Sequence, residues 1–176
     1  MRWSWLVAVG LAAGAGVACT APSPSYDGRR TAVGDPPPPG RAFAARVDRV
    51  VDGDTIVATR GGRALRVRLI GVDAPESVQP DMPVECYGRR AARELATLLP
   101  AGTRVRAAYQ PGGRRDRFGR ELWDVWRRDG TFVQAELVRR GGAEARAYPP
   151  HTDHAEALDA VEREARAQMV GLWGAC

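Results

Sequence analysis

VVDGDTIVATRGGRALRVRLIGVDAPE, residues 50–76, alternates apolar β-branched runs with turn-forming and acidic residues. Thr55 to Thr59 and Ala64 to Val72 read as strands joined by the tight turn Arg60-Gly61-Gly62-Arg63, and Ala45 to Val51 reads as a strand before them. Asp52-Gly53-Asp54-Thr55 then falls where a hairpin turn is needed, with Gly53 expected to take positive φ. A second acidic cluster, Asp73-Ala74-Pro75-Glu76, follows the third strand, and a turn alone does not account for it.

Side-by-side strand ends bring their turns together, which places Asp54 and Asp73 at one edge of the sheet. Two carboxylates held close raise each other's pKa unless a cation lies between them. Their hard oxygens favour Ca²⁺, which accepts carboxylates, backbone carbonyls and waters in a loose geometry. Arg68, in the strand leading to the second cluster, offers a planar two-pronged clamp for a phosphate. Taken alone, it reads more simply as a salt bridge to Asp73 or Asp52. A cation, an arginine and a spare carboxylate, Glu76, are together the parts that phosphodiester hydrolysis requires.

Downstream, residues 77–86 hold two prolines and no hydrophobic period, so they read as an exposed loop. Tyr87 to Leu99 reads as a helix burying Ala91, Leu95 and Leu98, with Arg89, Arg90 and Arg93 turned to solvent and Pro100 as the stop. Strands follow at Thr103 to Tyr109 and Leu122 to Arg127, separated by a basic loop, Pro111 to Arg120. Val133 to Arg140 reads as a short helix closed by Gly141. A last helix is expected from Asp153, with Glu156 completing a capping-box-like pair and Leu158, Val161, Ala165 and Met169 buried. The class is α+β, mainly β, with five short strands that fit a small closed barrel. His151 and His154 have no partners at metal spacing and receive no catalytic task.

The motifs DGDT, VRLIGVDAPE and the downstream DRFGR (Asp116 to Arg120), in this order, resemble those of the thermonuclease, or staphylococcal-nuclease-like, family; the likeness runs from Ala44 to Trp173. The resemblance implies a five-stranded OB-fold barrel with three helices. It implies that Asp54, Asp73 and the backbone carbonyl of Ala74 hold Ca²⁺, and that Glu76 positions or deprotonates the attacking water. Arg68 and Arg120 would grip the phosphate, with Arg117, Phe118 and Tyr148 contacting substrate. From the residues themselves, Asp52 reads as bracing its turn, and Thr55 as either bonding a metal-bound water or simply ending the turn. The implied activity is calcium-dependent cleavage of DNA and RNA, single-stranded or denatured by preference, leaving 3′-phosphate ends; a non-catalytic nucleic-acid-binding module on the same barrel is the alternative. Four positions depart from the family's pattern: Ala74 for a frequent Thr, Phe118 for a frequent Tyr, Trp123 for a small residue, and a single tyrosine in ARAYPP.

The 176 residues allow one domain with a core of its own. All 26 basic side chains are arginine, and the net charge of +5 suits a polyanionic partner. Residues 1–18 read as an export signal, with Arg2 followed by an apolar run. Val17-Ala18-Cys19 resembles a lipobox, which would lipidate Cys19 and make that lipid the membrane contact; cleavage near Ala21 and an uncleaved anchor are the other readings. Residues 19–40 read as a Pro-rich tether and residues 41–176 as the domain. The expected protein is extracytoplasmic, lipid-anchored or secreted, and monomeric. With Cys19 lipidated or removed, Cys86 and Cys176 are left to pair in an oxidising compartment, two free thiols being the alternative.

Overall fold

The computed structural model describes residues 34–77 and 83–176. The export signal, Cys19 and most of the tether lie outside the described residues. In chain order the elements are β1 (Phe43–Asp52), β2 (Thr55–Arg60), β3 (Arg63–Leu69), β4 (Val72–Asp73), α1 (Gly88–Leu98), β5 (Arg104–Ala108), β6 (Glu121–Arg127), α2 (Val133–Arg139), β7 (Glu144–Ala145), α3 (Ala155–Ala167) and α4 (Leu172–Ala175).

Five of the strands close into a barrel in the order β1-β2-β3-β6-β5, with β4 and β7 forming a separate two-stranded ladder. This is the expected OB-fold barrel. Closure comes where β3 meets β6 in parallel, Val67 opposite Glu121 and Leu69 opposite Trp123. Alternation along β3 explains its orientation: Val67 and Leu69 are fully buried inside the barrel, while Arg66 and Arg68 face outward. Val47, Ile56, Ala58, Val125 and Trp123 fill the interior with them. Phe43 packs edge-on against Trp123 at 5.1 Å, so the large ring at position 123 is accommodated by an aromatic cluster at the barrel's end. Helix α1 lays Ala91, Leu95 and Leu98 against β1, each buried leucine contributing about 2 kcal/mol. Cys86, just before α1, and Cys176, the last residue, are joined by a disulfide across 90 residues of chain. Closing a loop of that length stabilises the fold by ~4–5 kcal/mol in the chain-entropy account.

Several expectations need correction. The strand expected from Ala64 to Val72 is broken: Gly71, at φ +79°, turns the chain out of β3. Val72 and Asp73 then pair with Ala145 and Glu144 instead. The last helix begins at Ala155 with no side-chain cap, because the Asp153 amide is already bonded to Gln110 Oε1 at 3.1 Å. Met169 lies beyond the end of α3 and is 54% exposed, and Val170 takes the buried place expected of it. Residues 35 and 36, within the stretch read as tether, pack on the domain. Asp35 pairs with Arg139 at 2.9 Å and accepts from the Phe132 amide, and the Pro36 carbonyl accepts from Trp126 Nε1 at 2.7 Å.

Gly53 is required for a different reason than the turn preference implied. It is not among the glycines at positive φ. A Cβ built on it would lie 2.5 Å from Ala74 Cβ and 2.9 Å from Ala91 Cβ, so the turn can be reached by the second acidic cluster and by α1 only without a side chain. Gly53→Ala should therefore destabilise the protein by about 1–3 kcal/mol, the usual cost of overpacking. Urea denaturation measures this directly, and a change below about 0.5 kcal/mol would show that the three backbones are not tightly apposed.

Candidate active site

Two features of the barrel bring the acidic clusters together. Thr55 pairs with Arg68 across β2 and β3, and the Leu69 amide donates to the Asp54 carbonyl at 2.9 Å, so the first turn sits against the end of β3. The break at Gly71 then folds Asp73 back toward it. Arg68 lies between the two carboxylates: one guanidinium nitrogen is 2.5 Å from Asp54 Oδ2 and the other 2.8 Å from Asp73 Oδ1. This is the two-pronged geometry that arginine, unlike lysine, presents.

Asp54 is largely enclosed. Burial pushes its pKa up, against the lowering effect of Arg68, of the Thr55 hydroxyl donating at 2.8 Å and of the Ala74 amide donating at 3.2 Å. A carboxyl so placed favours a positive neighbour. Asp73 is more open and has two further neighbours. Arg146 Nε lies 3.5 Å from its Oδ2, and the Tyr148 hydroxyl donates to the same oxygen at 3.4 Å. Among the described residues no group of three or more His, Cys, Asp or Glu side chains converges on a common point. Any cation here would therefore draw on the two carboxylates, a carbonyl and water.

Asp52 braces the turn. Its Oδ1 accepts from the Gly53 amide at 2.8 Å and from the Ser77 hydroxyl at 2.5 Å. Burial raises the Asp52 pKa, but its hydrogen bonding with the Glu76 side chain, with the Ser77 hydroxyl and with the amides of Gly53 and Ser77 outweighs it and holds the group below the usual carboxylate range. Glu76 is thus tied to the first turn through its side chain. Its backbone is held as well, the Glu76 amide donating to Glu85 Oε2 at 2.9 Å and its carbonyl accepting from the Glu85 amide at 3.0 Å.

Arg120 arrives from the loop between β5 and β6, and Asp116 sets it in place. One Asp116 oxygen accepts from the amides of Phe118 and Arg120, both at 2.9 Å, and the other from Arg120 Nε at 2.6 Å. The guanidinium then reaches Thr55 Oγ1 at 3.5 Å. Thr55 therefore links Asp54 to Arg120. Arg117 stacks over the exposed Phe118 ring at 4.7 Å.

Asp52, Asp54, Thr55, Arg68, Asp73, Ala74, Glu76, Arg117, Phe118, Arg120 and Tyr148 all line one cleft of about 700 Å³. Cys86 and Cys176 lie apart from it, at the start of α1. Sequence alone assigns no role to Asp116, Ser77 or Arg146. Asp116 opens the DRFGR motif four residues before Arg120, and that spacing was the available signal. Nothing local in the chain marks Ser77 or Arg146. Chemically, the cleft offers carboxylate oxygens, guanidinium donors suited to phosphate oxygens, and a held carboxylate.

Residues 66–175 match the family described as Staphylococcal nuclease homologue. The chain is 39% identical over 127 residues to the thermonuclease of Staphylococcus intermedius, covering 72% of this chain and 74% of that protein. It is 34% identical over 128 residues to the thermonuclease of Staphylococcus hyicus, covering 73% and 74% respectively. It is also 34% identical over 128 residues to Endonuclease YncB of Bacillus subtilis (strain 168), covering 72% of this chain and 60% of that protein.

The Asp116 clamp has a pH signature. Burial raises its pKa, but bonds from the Arg120 side chain and amide, the Arg120 charge and the Phe118 amide together lower it. A carboxyl depressed on folding stabilises fully above its unfolded pKa and loses that contribution as pH falls through the folded value. Asp116→Asn should cost about 1–2 kcal/mol at neutral pH. Urea titrations repeated at falling pH should show the gap to wild type closing below the ordinary aspartate range; a gap independent of pH would contradict the clamp.

Proposed function

The chain belongs to the staphylococcal nuclease family, and on that premise we propose that it is an exported, calcium-dependent nuclease that cleaves DNA and RNA with little sequence preference, leaving 3′-phosphate ends. The observation that carries the reading is Arg68 held between Asp54 and Asp73, in the same cleft as Glu76 and Arg120. A barrel that only bound nucleic acid would have no use for that set. Recognition through phosphate and ring contacts supplies little sequence information. Phe118, 68% exposed, and Tyr148, 49% exposed, offer ring faces at the cleft, which suits single-stranded or denatured substrate.

The donor set fits a hard divalent cation, because every side-chain ligand is a carboxylate oxygen and the burial of Asp54 favours positive charge beside it. Asp54, Asp73 and the Ala74 carbonyl would hold Ca²⁺, which when bound supplies positive charge to the oxygens of the phosphate. Arg68 and Arg120 present guanidinium donors to the same oxygens, where negative charge builds in the transition state. Glu76, held by Asp52 and Glu85, orients the attacking water and takes its proton, a contribution of roughly 10²–10⁴-fold. Thr55 and Asp116 position Arg120, and Asp52 positions Glu76.

Export rests on residues 1–18, and lipid anchoring on Cys19; the reading is an extracytoplasmic monomer, either anchored by its lipid or released. Release of acid-soluble nucleotides from denatured DNA tests the activity. Release should occur in CaCl₂ and fall to background in excess EGTA. No release with calcium would overturn the nuclease reading, and full turnover in EGTA would overturn the cation alone.

A further inference from the structure

Four arginines line the cleft: Arg66, Arg68, Arg117 and Arg120. Three are already engaged. Arg68 is paired with Asp54 and Asp73, Arg120 is clamped by Asp116, and Arg117 lies over Phe118. Arg66 has no carboxylate, ring or hydrogen-bond partner among the described residues. It stands two residues before Arg68 on the same outward face of β3, opposite Val57, with the buried Val67 between them. Strand geometry separates the two positions by ~6.7 Å, on the scale of one nucleotide of an extended strand.

We propose that Arg66 forms a second phosphate-binding position, which takes the phosphodiester next to the one held by Arg68 and Arg120. The inference rests on the nuclease reading of this cleft. The barrel supports it geometrically. Positions 66 and 68 belong to one rigid strand paired to β2, so the distance between their side chains does not depend on a loop. Electrostatics supports it too. A cation without a carboxylate partner gives up no ion pair on meeting a phosphate, whereas Arg68 and Arg120 must share theirs. Arg66 would thus contribute to holding the strand and to the salt dependence of binding, and would make substrates with a neighbouring phosphate bind more tightly than those with a single one.

Binding in calcium-free buffer tests this without cleavage. Fluorescence anisotropy with a short labelled oligothymidylate gives Kd over a range of NaCl concentrations. One phosphate contact on a single strand contributes ~0.7 to the slope of log Kd against log salt. Arg66→Ala should lower the slope by about that amount, with Kd rising several-fold at low salt, and Arg66→Lys should largely restore it. Arg163→Ala, on the exposed face of α3, should leave the slope unchanged. Thymidine monophosphate, used as a competitor, should bind wild type and Arg66→Ala alike. An unchanged slope in Arg66→Ala, an equal fall in Arg163→Ala, an equal loss for the mononucleotide, or no binding by wild type would each overturn the proposal. Wild type that binds but does not cleave with calcium would instead overturn the nuclease reading and leave Arg66 as a binding residue.

Discussion

Arg68 sits between two carboxylates that would otherwise repel each other at the rim of the barrel, and the local architecture follows from keeping it there. The β2–β3 register sets Thr55 against Arg68. Gly71 ends β3 early enough for Asp73 to fold back, and the β4–β7 ladder keeps Asp73 from drifting away. Gly53 leaves room for the second acidic cluster to approach the first. A charged group with this little solvent around it is costly unless paired, so each of these features removes an alternative in which Asp54 would be buried without a cation.

Charge is distributed along the cleft rather than concentrated. Asp52, Asp54, Asp73 and Glu76 line it together with Arg66, Arg68, Arg117 and Arg120, and Arg68 stands between two of the carboxylates. The net charge of +5 says only that a polyanion is welcome. Where it would lie is set by which arginines are neutralised. Arg139 and Arg140 are consumed by Glu136 and Asp35 within the fold, and Arg115 by Glu121. Arg89, Arg90 and Arg93 of α1 line a separate hollow beside Cys86 and are not part of the cleft. Counting basic residues therefore overstates the binding surface.

Much of the fold was legible in the chain because its signals are local. The period-two pattern of β1 to β3, the apolar face of α1 and the stop at Pro100 each depend on neighbours within a few residues. DGDT, VRLIGVDAPE and DRFGR marked the residues of the cleft, and the resemblance they carry supplied the barrel's closure, which no local pattern encodes. The misreadings share a cause. Gly53 looked like a turn glycine because the nearby chain gives no sign that Ala74 and Ala91 will pack on it. The capping pair at Asp153 and Glu156 was lost to Gln110, a residue of the loop after β5. Met169 fell on the apolar stripe of α3, but the helix ends before reaching it. Ser77, Arg146 and the Asp35–Arg139 pair are contacts between distant segments, invisible until the barrel is closed.

A two-pronged guanidinium at position 68 is what distinguishes a working site from a pair of strand-end carboxylates. Lysine keeps the charge there but cannot present two parallel donors to a carboxylate or a phosphate. The decisive measurement is kcat on denatured DNA for Arg68→Lys, made on protein shown by circular dichroism to be folded. A fall of roughly 10²–10³-fold is the expected result. Turnover close to wild type would show that any positive charge suffices and that the arginine serves only to hold the strand ends together.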